Sequence, residues 1–177
     1  ITYEDDALFL IAQKADGALR DALSIFDRLA TFTQKNITLA KAAEVLNILD
    51  YDQYLKIVDL AKENNIPDVL SAFNEIVKKG FDPHIFIAGL GSHFRDLMMA
   101  QNASTLSLIE VGEKTKAKYA EQAQKWNAQQ LIDAIEICNH ADINYKNSKN
   151  PRLTVEIALM QLASLTANGV DAKKKSS

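Results

Sequence analysis

Residues 16–28 read DGALRDALSIFDR, and the spacing of their apolar side chains decides the fold class. Leu19, Ala22, Leu23, Phe26 and Leu29 recur at i, i+3, i+4, i+7 and i+10, one stripe at helical period that Ile25 widens. Arg20, Ser24 and Asp27 fall on the opposite, polar side. A helix that opens at Asp16 or Gly17 leaves its first N–H groups available to a side-chain oxygen or an anion. The start of this helix is therefore a place where Arg20 can meet a phosphate.

The same period runs through the rest of the chain, which holds only three prolines and six glycines and no stretch of strict apolar/polar alternation. The expected fold class is all-α. A first helix is expected from Tyr3 to Ala15, the quoted stretch carries a second to Thr33, and Thr38 caps a third over Leu39–Ile48. Asp50 or Asp52 then caps a helix reaching Asn64, and Ile66-Pro67 opens another to Lys79, closed by lysines and Gly80. Asp82-Pro83 starts a long apolar helix through Ala100, and Ser104-Thr105 sits in a turn or a brief helical piece. Glu113–Trp126, Ala128–Asn147 and Arg152–Ala167 complete the set. The lengthening of the segments after Leu49 predicts a small three-helix unit over 1–49, a helical bundle over 50–167 and a disordered Gly-, Lys- and Ser-containing tail over 168–177.

With 177 residues, 47% of them apolar, the chain can bury a real core. A formal net charge of −3 argues against a broadly basic nucleic-acid surface, so contact with DNA is expected to be indirect. The single cysteine, Cys138, cannot form an internal disulfide and reads as a buried apolar side chain. There is no signal-peptide pattern and no apolar run of about 18 residues, so no membrane association and a cytoplasmic setting are expected. The sequons at Asn36 and Asn102 are then chance matches. A chain starting at Ile1 reads as a piece of something longer.

Several patterns have both a chemical and a plain structural reading. Gly89-Leu90-Gly91-Ser92 resembles a glycine loop, but no GxxxxGK[ST] lysine follows, and close helix packing or a kink explains it better. None of His84, His93 and His140 pairs with a carboxylate or second histidine at i+3 or i+4 in a way that would converge on an ion, so they read as surface or partly buried helix residues rather than metal or acid–base groups. Lys114, Lys116 and Lys118 alternate around a helix and form no nucleic-acid stripe, and Lys173–Lys175 is a basic end. No catalytic residues, metal ligands or cofactor-binding residues are expected. On periodicity alone, Asp21 and Arg28 are salt-bridged or solvated.

Asp16-Gly17-Ala18-Leu19-Arg20-Asp21-Ala22-Leu23-Ser24 resembles the sensor 2 motif, G-x-x-R-D-A-x-S, of clamp-loader AAA+ proteins. Downstream, Asn150-Pro151-Arg152-Leu153-Thr154-Val155-Glu156-Ile157-Ala158-Leu159 is similar to the N-P-R-L-x-x-E-x-x-L pattern that closes the collar domain of the bacterial DNA polymerase III gamma/tau subunits. His93-Phe94-Arg95-Asp96-Leu97 also resembles that collar. The resemblance covers about 165 residues, with the three motifs in family order.

It implies the rear of an AAA+ helical lid over 1–49 and an oligomerisation collar over 50–167. The family's P-loop, metal-binding acidic strand, arginine finger and zinc module would lie upstream, so this stretch by itself is not expected to hydrolyse ATP, and ATP with Mg would belong to the full-length subunit. Nucleotide sensing falls by position to Arg20, whose planar, permanently charged fork suits phosphate oxygens. Asp21 and Ser24 are then helix-end residues. The collar implies partnership with the other clamp-loader subunits in loading the sliding clamp for DNA replication. The sensor 2 stretch alone would also fit the helical part of another AAA+ DNA-repair or recombination ATPase, but the Asn150–Leu159 stretch argues for the clamp loader. A free-standing helical enzyme is disfavoured by the lack of paired carboxylates or a nucleophile–base pair.

Overall fold

In the computed structural model, which describes residues 1–16 and 18–175 with side chains through Ala167, short apolar faces near the N-terminus and longer ones after residue 50 gather into two separate cores. The first belongs to α1 (Asp5–Lys14), α2 (Leu19–Phe32) and α3 (Leu39–Leu46). Ala7, Leu10, Ile11, Leu29, Ala42 and Leu46 fill it. A two-residue parallel pairing of β1 (Thr2–Tyr3) with β2 (Asn36–Ile37) ties the chain start to the loop before α3. The predicted first helix is therefore shorter than Tyr3–Ala15, because the Thr2 and Glu4 backbone N–H groups donate to Lys35 and Ile37 carbonyls instead.

The start of α2 departs from expectation. Its N-cap is Ala18, with no side-chain cap, and Asp16 is held at φ 51° after the end of α1. Thr38 does cap α3, accepting from Lys41 N–H. That helix stops at Leu46 rather than Ile48 because Asn47 turns left-handed, at φ 53°.

The second core belongs to α4 (Tyr51–Lys62), α5 (Ile66–Lys78), α6 (Pro83–Ala100), α7 (Ala103–Leu106), α8 (Glu113–Ala123), α9 (Ala128–Asn144) and α10 (Pro151–Lys175). Of the two proposed caps for α4, Asp50 is the one used, accepting from Gln53 N–H. Asn65, with Pro67 at the helix start, opens α5, and Asp82 before Pro83 opens α6. Helix α6 is the hub: α8, α9 and α10 all pack on it. Phe73, Phe86, Phe94, Tyr119, Trp126 and Leu131 are among the buried side chains of this bundle. The ends of α8 and α9 fall short of the expected Trp126 and Asn147, and Trp126 packs into the core from the turn before α9. The tail expected over 168–177 falls on residues whose side chains lie outside the described set, with Ser176 and Ser177 outside it entirely.

The glycine pair of α6 marks close packing. A Cβ on Gly89 would overlap the hydroxyl of Tyr54 on α4, and one on Gly91 would sit 3.1 Å from the Cβ of Cys138 on α9. Cys138 is 1% exposed, and burial pushes its thiol above the ordinary range. Among the described residues no helix is long and apolar enough to cross a membrane.

Candidate functional site around Arg20

Arg20 lies in the first turn of α2 and is exposed, as are Asp21, Ser24 and Asp27. No ion pair among the described residues involves it. Without a side-chain cap, the helix's leading N–H groups remain open to an acceptor. The macrodipole and the guanidinium thus present positive charge from the same helical turn.

The apolar stripe read from the sequence splits in two. Ala22, Ile25 and Phe26 pack against the first core and Leu29 is fully buried in it. Leu19 and Leu23, expected on the same face, are instead 74% and 56% exposed. The inward face follows the 22-25-26-29 line, and Leu19 and Leu23 are rotated to one side of it, toward solvent. Arg20 therefore stands beside an uncovered apolar edge.

The other motif residues are mostly structural. In His93-Phe94-Arg95-Asp96-Leu97, the side chains of His93, Phe94 and Leu97 are buried, and Phe94 meets Trp126 edge-on at 5.5 Å between ring centroids. His93 was expected at or near the surface; it is 3% exposed, and burial lowers its pKa to about 4 although Gln122 and Asp59 oppose the shift. Burial likewise raises the Asp96 carboxyl above its usual range, opposed by Arg95.

Asn150 accepts from Leu153 N–H at 3.2 Å, so it caps α10. Arg152 donates to Asn74 Oδ1 at 2.8 Å and lies over the Phe73 ring, tying α10 to α5.

His84 does have a carboxylate partner, Asp142, at 2.6 Å, and it stacks on Tyr145 at 4.4 Å. The pairing joins the start of α6 to the end of α9 across 58 positions, which no local spacing could reveal. His140 is exposed beside Asn144. No three His, Cys, Asp or Glu side chains among the described residues gather as metal ligands. The lysines of α8 spread as expected: Lys116 pairs with Glu113 and Lys118 with Asp52.

A cleft of about 560 Å³ lies between the two units, lined by Glu4, Asp5, Asp6, Asp50 and Asp52 with Lys114 and Lys118. Two of its acids cap helices far along the chain. Glu4 accepts the Leu39 N–H at 2.7 Å, at the start of α3. Asp6 accepts from Gly112 N–H and from the Thr115 hydroxyl at the start of α8. Sequence reading missed both roles, because an acid that caps a distant helix leaves no local spacing signal.

Comparison with known proteins finds two family matches along the chain. Residues 37–174 match the family described as DNA polymerase III subunits gamma and tau domain III, and residues 1–35 match the ATPase lid domain of the DNA polymerase III clamp loader subunit. The chain is 30% identical over 162 residues to DNA polymerase III subunit tau of Bacillus subtilis, covering 90% of this chain and 28% of that protein. It is also 27% identical over 163 residues to Protein STICHEL-like 2 of Arabidopsis thaliana, covering 92% of this chain and 18% of the relative. The fold resembles that of the Bacillus subtilis DNA clamp loader delta protein, with a TM-score of 0.59 at 19% identity, over 92% of this chain and 51% of that one. The chain thus spans less than a third of these curated relatives' lengths.

Proposed function

The chain belongs to the gamma and tau subunit family of bacterial DNA polymerase III, and we propose that it serves there as lid and collar of a clamp-loader ATPase. In this reading residues 1–49 are the lid part, residues 50–167 hold the subunit to its neighbours in the loader, and Arg20 senses the nucleotide. ATP with Mg binds elsewhere in the full-length subunit, DNA is reached through the assembly, and these residues carry no catalytic group of their own.

One observation carries the assignment to Arg20: an exposed arginine in the first turn of a helix whose start has no side-chain cap, flanked by the uncovered Leu19 and Leu23. A free arginine on a solvated helix face needs no apolar neighbours. Beside an apolar edge, it suits a surface that closes against another body and brings phosphate oxygens to the guanidinium.

The test is Arg20→Ala in the full-length subunit, assembled into the loader. ATP-dependent clamp loading should fall roughly 10- to 150-fold, the loss of one charge-assisted contact of about 1.5–3 kcal/mol. Helical circular dichroism and co-purification with the other loader subunits should be unchanged. Loading at the normal rate would remove Arg20 from nucleotide sensing. Failure of the whole chain to capture any other loader subunit would remove the assembly role of the bundle.

A further inference from the structure

The two cores share no residue, so apolar packing alone does not fix how the N-terminal unit sits on the bundle. The covalent link is short. Asn47 ends α3, Ile48 packs on the first core, Leu49 packs on the second, and Asp50 caps α4.

The second attachment is Asp6. Helix α8 begins at Gly112, a residue with no side chain to cap it. The Asp6 carboxylate arrives from α1, 106 positions away, and accepts the Gly112 N–H at 2.5 Å through Oδ1 and the Thr115 hydroxyl at 2.6 Å through Oδ2. Thr115 is buried, at 4% exposure. A negative charge at a helix N-terminus is favoured by the open N–H groups and the macrodipole.

Gly112 gives an independent sign that this approach is built in. Its φ of −67° suits any residue, so the glycine is not needed for the backbone. A Cβ there, however, would lie 2.9 Å from Asp6 Oδ1 and 3.4 Å from the Asp5 Cβ. The glycine clears the space into which Asp6 fits. Glu4, two residues earlier, holds α1 to its own unit through Leu39 N–H. The acidic run Glu4-Asp5-Asp6 therefore grips both units, one acid on each side.

We propose that Asp6 is a clip that locks the three-helix unit to the α8 edge of the bundle, so that the two units turn as one body. The clip stands on the chain's own contacts and holds whether or not Arg20 senses nucleotide. Where Arg20 does, the clip carries a change in the tilt of α2 to the bundle.

The experiment is a spin-label distance measurement by double electron–electron resonance on the whole chain, with labels at Lys41→Cys on α3 and Glu136→Cys on α9, both exposed. Cys138 stays in place, since it is buried and its thiolate is disfavoured. The unsubstituted clip should give a single narrow distance distribution, and Asp6→Ala should broaden it roughly twofold or more with helical circular dichroism retained. Gly112→Ala, which blocks the approach from the other side, should broaden it too, whereas Asp5→Ala should leave it narrow. A distribution that stays narrow in Asp6→Ala, or is already broad in the starting chain, overturns the proposal. Should Asp6→Ala lose helix, Gly112→Ala and Thr115→Val decide alone: broadening upholds the clip and a narrow distribution in both refutes it.

Discussion

The side-chain oxygen of Gln122 accepts the Nε2–H of His93 at 2.7 Å inside the bundle, while the Gln122 amide group donates to the Leu55 carbonyl at 2.8 Å and to Asp59 at 2.9 Å. The pair stitches α6, α8 and α4 together through groups that would be costly to bury unpaired. With Nε2 donating, Nδ1 is the basic nitrogen, and it is buried without a partner among the described residues. Protonating His93 would place a second N–H, and a charge, in an apolar site beside Tyr119 and Phe94.

Acid should therefore weaken the bundle in a defined window. In the folded chain His93 has a pKa of about 4, below the ordinary value of about 6.5 for an unfolded histidine. Between these values the unfolded state binds the extra proton, so the stabilising effect is full above pH 6.5 and is lost as pH falls toward 4. On going from pH 7.5 to 4.5, His93 should account for about 2–3 kcal/mol of lost stability. Urea melts at both pH values check this: in His93→Leu the difference between the two should shrink by that amount. An equal pH difference in both proteins would show that His93 takes up its proton alike in the folded and unfolded chains, so that its burial does not disfavour the charged form.

Gly89→Ala should destabilise the chain although alanine is the better helix former. The helix-propensity gain is about 1 kcal/mol, but the new methyl would overlap the Tyr54 hydroxyl, and the Tyr54 ring is stacked on Phe86 at 5.9 Å. Overpacking of this kind costs typically 1–3 kcal/mol, so a net loss near 1 kcal/mol is expected in thermal or urea unfolding. Adding Tyr54→Leu should restore part of it, and a stabilised Gly89→Ala would show that Tyr54 moves aside freely.

The helices were legible because their signals are local. Thr38, Asp50 and Asp82 sit just ahead of apolar periodicity, and each one caps the helix behind it. The small-residue pair at Gly89 and Gly91 was likewise readable as close packing. What escaped was non-local: Asp6 with Gly112, His84 with Asp142, and the burial of His93 each depend on a partner at least 29 positions away. The α2 stripe misled for a related reason. Periodicity reports that a face is apolar but not how much of it the neighbouring helices reach, so Leu19 and Leu23 read the same as Leu29.

The Asn150-Pro151-Arg152-Leu153 stretch should contribute mainly through its first residue. Asn150 caps a helix whose Val155, Leu159 and Leu162 are core, and loss of such a cap costs about 1 kcal/mol. Arg152 is half exposed in its contacts with Asn74 and Glu156, and pairs of that kind contribute about 0–1 kcal/mol. Asn150→Ala should therefore lower the unfolding midpoint more than Arg152→Ala, and the reverse order would mean that the grip of Arg152 on α5 outweighs the cap.

Two leucines on α2 provide the sharpest contrast between what the stripe predicts and what the fold uses. Leu29 is 0% exposed and Leu23 is 56% exposed, six residues apart on one helix. Truncating Leu29 removes transfer energy and leaves a cavity in a small core made with Ala7, Leu10 and Ala42, so Leu29→Ala should cost about 2–5 kcal/mol. Leu23→Ala removes little buried area and gains helix propensity, so its effect should stay within about 0.5 kcal/mol. Urea unfolding of the whole chain measures both. The same pair tests whether the exposed edge has a use. In the assembled full-length subunit, Leu23→Ala should impair ATP-dependent clamp loading in the same direction as Arg20→Ala, because the apolar edge and the guanidinium would close on the same surface. If Leu23→Ala unfolds the chain, Leu23 belongs to the core after all. If it leaves both stability and clamp loading untouched, the edge beside Arg20 is a bare solvated surface, and the arginine acts without it.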